Sequence, residues 1–151
     1  MDNIQIENYI RTLDPQAEIK SGKQFVEVTI IPSSLHKLAQ SLRNSEESLF
    51  DFLFCLTGVD YGQNLGVVYH LRSTVHNHSI VLKTMTSDRE HPGLDTVSDI
   101  WPGAEFLENE VFDLLGITFN NHPGLRRLFM EEDSGYPLRK DFSDEKNIVS
   151  K

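Results

Sequence analysis

The chain has 151 residues, of which 38% are hydrophobic and 25% charged, and its formal net charge at pH 7 is −9. This composition predicts one globular domain, and the acidic balance argues against a free-standing nucleic-acid-binding protein, because neutralising phosphates requires a clustered surplus of Lys and Arg. The single cysteine, Cys55, excludes an internal disulfide and an all-thiolate iron–sulfur site, and it favours a reducing compartment. Within its apolar run we expect Cys55 to be a small buried hydrophobic residue.

The sequence predicts neither a signal peptide nor a membrane-spanning helix. Its N-terminal segment carries acidic residues where a signal peptide carries basic ones. No run approaches the ~20 consecutive apolar residues that span a bilayer. We therefore expect contact with a membrane only indirectly, through other proteins.

The first part of the chain predicts two helices and a strand. Apolar residues at helical spacing predict a short N-terminal helix that ends at Asp14-Pro15. Alternating residues in QFVEVTII (24–31) predict a strand, and PSSLHKLAQSLRN (32–44) combines serine caps with leucines at helical spacing. The apolar segment SLFDFLFCLTGVD (48–60) fits either a buried helix or a strand, and we expect Gly58 to end it.

A β-hairpin is predicted in the middle of the chain. The segments LGVVYHLRS (65–73) and HSIVLKTMT (78–86) both have strand character, and the polar residues 74–78 form a natural turn between them. The following residues, Ser87 to Thr96, are predicted to form a loop.

The clearest helix is WPGAEFLENEVFDLLG (101–116), with Pro102 in its first turn and Gly116 at its end. A turn of ~100° per residue predicts an apolar stripe formed by Ala104, Leu107, Val111, Leu114 and Leu115. The residues predicted to face water on the opposite side are Glu105, Asn109 and Asp113. Glu108 and Glu110 fall at the two edges of the stripe, where a covered carboxylate needs a partner. We interpret both as structural ion-pair candidates whose natural partners are arginines near the C-terminus.

The order of these elements predicts an α+β fold. Strands and helices are interspersed around a hairpin, without glycine-rich turns between strand and helix. This pattern favours a small mixed or antiparallel sheet with helices packed on one face, followed by an extended C-terminal tail. We place the α+β domain at residues 1–121 and the tail at residues 122–151.

No motif for catalysis or nucleotide binding is found, since G-x-S-x-G, the P-loop and G-x-G-x-x-G are all missing from the sequence. His76 and His78 form an H-x-H pair with His70 nearby. Alternate residues of a strand share a face by default, and no Cys or Asp clusters beside these histidines, so a solvated hairpin turn is preferred to a zinc site. A free-standing metal-binding protein that uses the His76/His78 hairpin is the alternative from a different class.

The tail segment HPGLRRLFMEEDSGYPLRKDF (122–142) follows neither a helical nor a strand pattern. It is electrically neutral, because its four cations, Arg126, Arg127, Arg139 and Lys140, are balanced by four anions, Glu131, Glu132, Asp133 and Asp141. One interpretation is an extension strapped across its own domain. The other is a segment that docks on a partner, with arginines bound to carboxylates and Leu, Phe and Tyr side chains filling pockets.

The last helix and the tail together resemble the signature of the C-type subunit of respiratory NADH:quinone oxidoreductase, complex I. That family pattern runs as E-R-E-x-x-D-x-x-G-I, then F-x-x-H-P-x-L-x-R, then P-L-R-K-D-[FY]. It is met here by Glu108, Glu110, Asp113, Gly116, Ile117, Phe119, His122, Pro123, Leu125, Arg127 and the segment 137–142. The upstream segments LTGVDY, VVYHLRS and IVLKTM are similar to the family as well, so the resemblance extends over roughly residues 49–142. One position departs from the pattern, since Asn109 replaces the family arginine.

The resemblance implies an accessory, non-catalytic peripheral-arm subunit of a proton-translocating NADH:quinone oxidoreductase, on the cytoplasmic side of the membrane. It implies no cofactor in this chain, because NADH, FMN, iron–sulfur clusters and quinone belong to other subunits. The implied partners are the D-type subunit, which carries the quinone site, and the B- and I-type subunits. The residues expected to bind a partner are His122, Pro123, Arg126, Arg127, Pro137, Leu138, Arg139, Lys140, Asp141 and Phe142. The alternative within the same superfamily is the equivalent subunit of a membrane-bound energy-converting hydrogenase.

Overall fold

The structure is a computed structural model that describes residues 2–22, 24–128, 130 and 135–140. Within these residues the elements are α1 (Asn3–Leu13), β1 (Glu18–Ser21), β2 (Val26–Ile30), α2 (Leu35–Asn44), β3 (Phe52–Asp60), β4 (Leu65–Ser73), β5 (His78–Thr86), β6 (Gly93–Asp95), α3 (Ala104–Leu115) and β7 (Thr118–Asn120). A short 3₁₀ turn precedes α2. The predicted tail residues Asp141 and Phe142 lie outside the described residues.

Five strands form one mixed sheet in the order β1-β2-β5-β4-β3. The predicted hairpin is confirmed, because β4 and β5 pair antiparallel with Tyr69 opposite Leu82. β3 adds to β4 in antiparallel orientation, whereas β2 lies parallel to β5. The α+β class with a small mixed sheet is therefore confirmed.

The hydrophobic core lies on one face of this sheet. Alternate residues of the central strands are buried on that face, including Val28, Tyr69 and Leu82. The helices bury their own apolar stripes in the same cluster, to which α1 contributes Ile6 and Ile10. The opposite face of the sheet has no helix over it in the described part of the chain, and Phe52 and Phe54 are exposed there.

The apolar segment 48–60, which the pattern leaves ambiguous, is the strand β3. Its register shifts between Leu53 and Cys55, so that Leu53 and Leu56 both reach the core although they are three residues apart. Cys55 is consequently half-buried rather than buried, contrary to the prediction.

Gly58 does not end this strand, which continues to Asp60. A Cβ on Gly58 would lie 2.4 Å from Leu115 Cδ1 and 2.9 Å from Val111 Cγ1. The glycine therefore marks the place where α3 packs directly on the backbone of β3.

The segment 87–96, predicted as a loop, contains the short strand β6. β6 pairs in parallel with β7, which places Leu94 opposite Phe119 in a separate two-stranded sheet. β7 brings the chain back past the start of α3. From there the tail turns onto the side of α3 that faces away from the core stripe.

A candidate interaction site around the last helix

The side of α3 predicted to face water is mostly covered. Glu105 is exposed as predicted, but Asn109 is only 4% exposed and Asp113 is completely buried. The prediction for Asn109 and Asp113 is wrong because the tail lies over both side chains. The hydrophobic periodicity of one helix carries no information about a distant segment of the chain that covers its polar side.

Asp113 forms the centre of this covered side. Arg127 Nε donates to Asp113 Oδ1 at 2.7 Å, and the backbone N–H of Met130 lies 3.3 Å from both carboxylate oxygens. The Nη2 atom of Arg127 also donates to the carbonyl oxygens of Asp113 and Gly135. One buried carboxylate and one arginine thus hold the tail at Arg127, Met130 and Gly135.

Asn109 holds the preceding tail residue. Its side-chain oxygen accepts the backbone N–H of Arg126 at 3.0 Å. Asn109 stands where the family pattern has an arginine. Its side-chain amide accepts the backbone N–H of Arg126 without adding a charge. The side chain of Arg126 itself is exposed.

Glu108 is buried on the other side of α3, and its partners are not the tail arginines that the sequence suggested. Its carboxylate accepts hydrogen bonds from the hydroxyl of Thr96 and from the backbone N–H of Val97, and it lies 3.8 Å from His122 Nε2. Burial raises the pKa of the Glu108 carboxyl, whereas the two hydrogen bonds act to lower it. Glu108 thereby ties the loop after β6 to α3.

His122 fixes the start of the tail on α3. Its Nε2 atom lies 2.9 Å from the backbone carbonyl oxygen of Glu105, and the backbone N–H of Gly124 donates to its Nδ1 atom at 3.0 Å. Because Nδ1 accepts this hydrogen bond, the ring proton lies on Nε2, which donates to the Glu105 carbonyl.

The later part of the tail caps the C-terminal end of α3. The backbone N–H of Leu138 donates to the carbonyl oxygen of Leu114, and Arg139 Nε donates to that of Leu115 at 2.7 Å. These bonds satisfy carbonyls that a helix end leaves without intrahelical partners. The guanidinium groups of Arg127 and Arg139 lie 4.7 and 5.5 Å from the centre of the Tyr136 ring.

Asp60, at the end of β3, binds both the loop after β5 and the tail. Arg89 donates two hydrogen bonds to its carboxylate at 2.7 and 2.8 Å, and the backbone N–H of Lys140 adds a third contact at 2.8 Å. The Arg89 guanidinium holds the pKa of the Asp60 carboxyl far below its usual range. Asp60 and Arg89 are not among the predicted site residues, since nothing in their spacing links residues so far apart.

The predicted partner-binding residues fall into two groups. The side chains of Arg127 and Arg139 bind their own chain, and His122 and Pro137 are half-buried. The exposed members are Pro123, Arg126, Leu138 and Lys140. Whether these side chains bind a partner stays a prediction.

The histidine hairpin forms structural contacts. His78 Nε2 lies 2.7 Å from the backbone carbonyl oxygen of Ser48, and His76 Nε2 lies equally close to that of Glu46. Burial lowers the pKa of His78. In the part of the chain that the structure describes, no three His, Cys, Asp or Glu side chains are grouped so as to hold a metal ion. None of the described helices is long and apolar enough to cross a membrane.

Residues 28–147 match the model of the family described as the 30 kDa subunit of the respiratory-chain NADH dehydrogenase. The matched range contains β3, β4, β5 and α3, and it includes the tail residues that bind α3.

Two curated relatives illustrate the similarity. The NADH-quinone oxidoreductase C/D subunit of Bacteroides thetaiotaomicron is 48% identical over 130 residues, which cover 78% of this chain but only 24% of that protein. The NADH-quinone oxidoreductase C-type subunit of Moorella thermoacetica is 36% identical over 143 residues, which cover 91% of this chain and 95% of that protein. This chain thus spans about a quarter of the C/D protein and almost all of the Moorella protein.

A solved structure shares the fold as well. A chain of the membrane-bound sulfane sulfur reductase, an archaeal respiratory membrane complex, superposes with a TM-score of 0.80 at 25% identity. The match covers 97% of this chain and 88% of that chain.

Proposed function

Because the chain belongs to the family of the 30 kDa subunit of the respiratory-chain NADH dehydrogenase, we propose that it serves as the C-type subunit of an NADH:quinone oxidoreductase. The observation that carries this proposal is the family match over residues 28–147. The extensive similarity to the C-type subunit of Moorella thermoacetica supports it. These relatives do not favour the hydrogenase alternative.

Within the complex the chain acts as an accessory subunit without catalytic residues or cofactors of its own. The arrangement of its buried carboxylates supports this role. Glu108, Asp113 and Asp60 are each bound by hydrogen-bond donors of the same chain, as expected for groups that hold loops in place. A general acid or base would instead point its carboxyl towards a space that a substrate can enter.

The D-type subunit is the first partner that we propose. The name of the Bacteroides thetaiotaomicron relative joins the C and D types in one protein, so that C-like and D-like parts are produced together. Contacts with the B- and I-type subunits, and a position on the cytoplasmic side of the membrane, follow from the family resemblance and complete the proposal.

The tail supplies part of the contact surface in this proposal. The half-buried arginines Arg127 and Arg139 hold the tail on α3, while Arg126, Leu138 and Lys140 present exposed side chains. Neighbouring tail residues thus have different roles in this proposal. Some side chains bind α3 of the same chain, and the exposed ones bind the partner subunit.

Affinity purification of the tagged full-length chain from native membranes, followed by mass spectrometry, tests this function. We expect the D-type subunit to be recovered together with the B- and I-type subunits. Recovery of hydrogenase subunits in their place would assign the chain to an energy-converting hydrogenase. Recovery of neither set would contradict membership in a respiratory complex.

A further inference from the structure

A small apolar cavity lies where β3, α3 and the tail meet. Its walls include Leu56 of β3, Leu114 of α3 and Leu138 of the tail, and its volume is about 70 Å³. Glu110 is the one charged residue that lines it among the described residues. Since a water molecule occupies about 30 Å³ in the liquid, the cavity accommodates the end of a single side chain rather than a metabolite.

The carboxylate of Glu110 has no hydrogen-bond donor or cation bound to it among the described residues. In contrast, Glu108 and Asp113 on the same helix are both satisfied within the chain. Glu110 is half-buried beside apolar side chains. Because Glu110 is only partly buried, its unpaired carboxylate remains accessible to a positively charged side chain of another subunit.

Two exposed apolar side chains flank this carboxylate. Phe106, which is 54% exposed, lies one helical turn before Glu110, so the two side chains are neighbours on the surface of α3. Leu138, which is 59% exposed, is held on the other side because its backbone N–H donates to the carbonyl oxygen of Leu114. A carboxylate beside an aromatic ring is well suited to a guanidinium group, which pairs with the anion and stacks on the ring.

We propose that this cavity, which we call the Glu110 notch, binds an arginine side chain of a neighbouring subunit, and that Phe106 and Leu138 form an apolar rim covered by the same partner segment. Charge complementarity identifies the occupant. The notch presents the Glu110 carboxylate, which no described residue pairs, and the chain as a whole has a net charge of −9, so a positively charged side chain is favoured. Arginine fits better than lysine, since its planar group is less strongly hydrated and stacks on aromatic rings. The inference rests on the proposed function, which makes the partner a subunit of the same complex.

The first test compares two variants of the tagged full-length chain purified with its complex from native membranes. Glu110→Gln removes the charge and keeps the shape, and we expect it to reduce recovery of the neighbouring subunits by about ten-fold or more. Glu105→Gln is the matched control on the same helix, because its side chain is exposed, and it is expected to change recovery by less than about two-fold. Recovery of the Glu110→Gln complex at the wild-type level would overturn the inference.

Thermal unfolding of the purified full-length chain separates docking from folding. We expect Glu110→Gln to leave Tm unchanged or slightly raised, because no described group of the chain pairs with that carboxylate. A fall in Tm as large as that caused by Asp113→Asn would overturn the inference, since it would assign Glu110 a partner within its own chain.

Photo-crosslinking identifies the occupant directly. With the photoreactive p-benzoylphenylalanine in place of Phe106, we expect adducts on a partner peptide that contains arginine. Glu110→Arg combined with Arg→Glu at that partner residue should restore recovery. Adducts confined to peptides without arginine, or no rescue by the charge exchange, would count against the notch. If the wild-type chain itself recovers no oxidoreductase subunit, the proposed function fails. That outcome differs from failure of the notch, in which the wild-type chain recovers the subunits and Glu110→Gln recovers them equally well.

Discussion

Glu105 and Glu108 lie close together on α3 but in opposite environments. Glu105 is exposed, whereas the buried Glu108 accepts hydrogen bonds from Thr96 and Val97. Replacing Glu108 with Ala leaves the buried backbone N–H of Val97 without its acceptor, at about 1–3 kcal/mol, and leaves Ser98 as the acceptor for the Thr96 hydroxyl. We expect Glu108→Ala to lower Tm by roughly 5–10 °C, and Glu105→Ala by about 1 °C or less. Equal melting temperatures would refute this difference.

Asp60 makes the stability of the fold depend on pH at the acidic end. Its folded-state pKa is lowered by Arg89, so its ion pair contributes fully above the unfolded pKa near 3.8, and the contribution is lost as the pH falls below that value. We expect the free energy of unfolding of Asp60→Asn to lie below that of the wild type at pH 6. The two values should converge towards pH 2, as measured by urea unfolding across this range.

The pH dependence of stability that Glu108 contributes is opposite in sign to that of Asp60. Its folded-state pKa is raised by burial, so protonation favours the folded chain and the contribution of Glu108 becomes less favourable as the pH rises above about 4.5, its ordinary value. The uncharged variant Glu108→Gln should remove that dependence.

For Asp60, the contradicting outcome is a difference in the free energy of unfolding between wild type and Asp60→Asn that stays constant from pH 6 to pH 2. That result would show that Asp60 is not the group responsible for the acid dependence.

At the scale of elements, the contact between β3 and α3 depends on Gly58. Because a Cβ at this position would overlap Leu115 and Val111, we expect Gly58→Ala to destabilise the fold by roughly 1–3 kcal/mol, measured by chemical unfolding. Gly103→Ala is the matched control, since no atom lies within 4 Å of a Cβ placed there and its φ of −63° suits alanine. Equal stabilities of the two variants would mean that α3 shifts away from β3 at no cost.

Elements with a strong pattern of their own were predictable. The amphipathic helices α2 and α3 and the β4–β5 hairpin form as expected, and Gly116 ends α3 with a positive φ of 78°. The short strands β1, β6 and β7 were not predicted, because three or four residues carry too little periodicity. The parallel pairing of β2 with β5 joins residues more than fifty positions apart, and no local pattern encodes it.

At the scale of the whole molecule, the adjacent residues Arg126 and Arg127 separate assembly from folding. Arg127 pairs with the buried Asp113, whereas the side chain of Arg126 is exposed. We expect Arg127→Glu to lower the free energy of unfolding by about 3–5 kcal/mol, since it leaves Asp113 uncompensated. Arg126→Glu should keep Tm within about 2 °C of the wild type and reduce recovery of the D-type subunit from membranes.

The same two variants test the proposed role of the tail. If Arg126→Glu assembles as well as the wild type, the tail is only an internal strap at this position. If Arg127→Glu leaves Tm unchanged, the pair with Asp113 does not hold the tail on α3. Thermal unfolding and membrane recovery are therefore measured on both variants.

The sequence by itself determined the amphipathic elements, the fold class and the family, because hydrophobic periodicity and closely spaced motifs are local properties of the chain. It also marked the tail as unusual, through its paired cations and its apolar residues without a regular pattern. The candidate site was only partly accessible in this way. Several of its residues were recognised as a group, but not the partner of each.

Only the tertiary structure decided which polar side chains are buried. Asn109 and Asp113 lie on the polar side of an amphipathic helix, and they are covered because a segment from further along the chain crosses them. Glu108 finds its donors in the loop after β6 rather than in the tail arginines, and Glu110 finds none among the described residues. A carboxylate in a helix sequence specifies that a partner is needed once it is covered, but the folding of distant segments against that helix selects the partner.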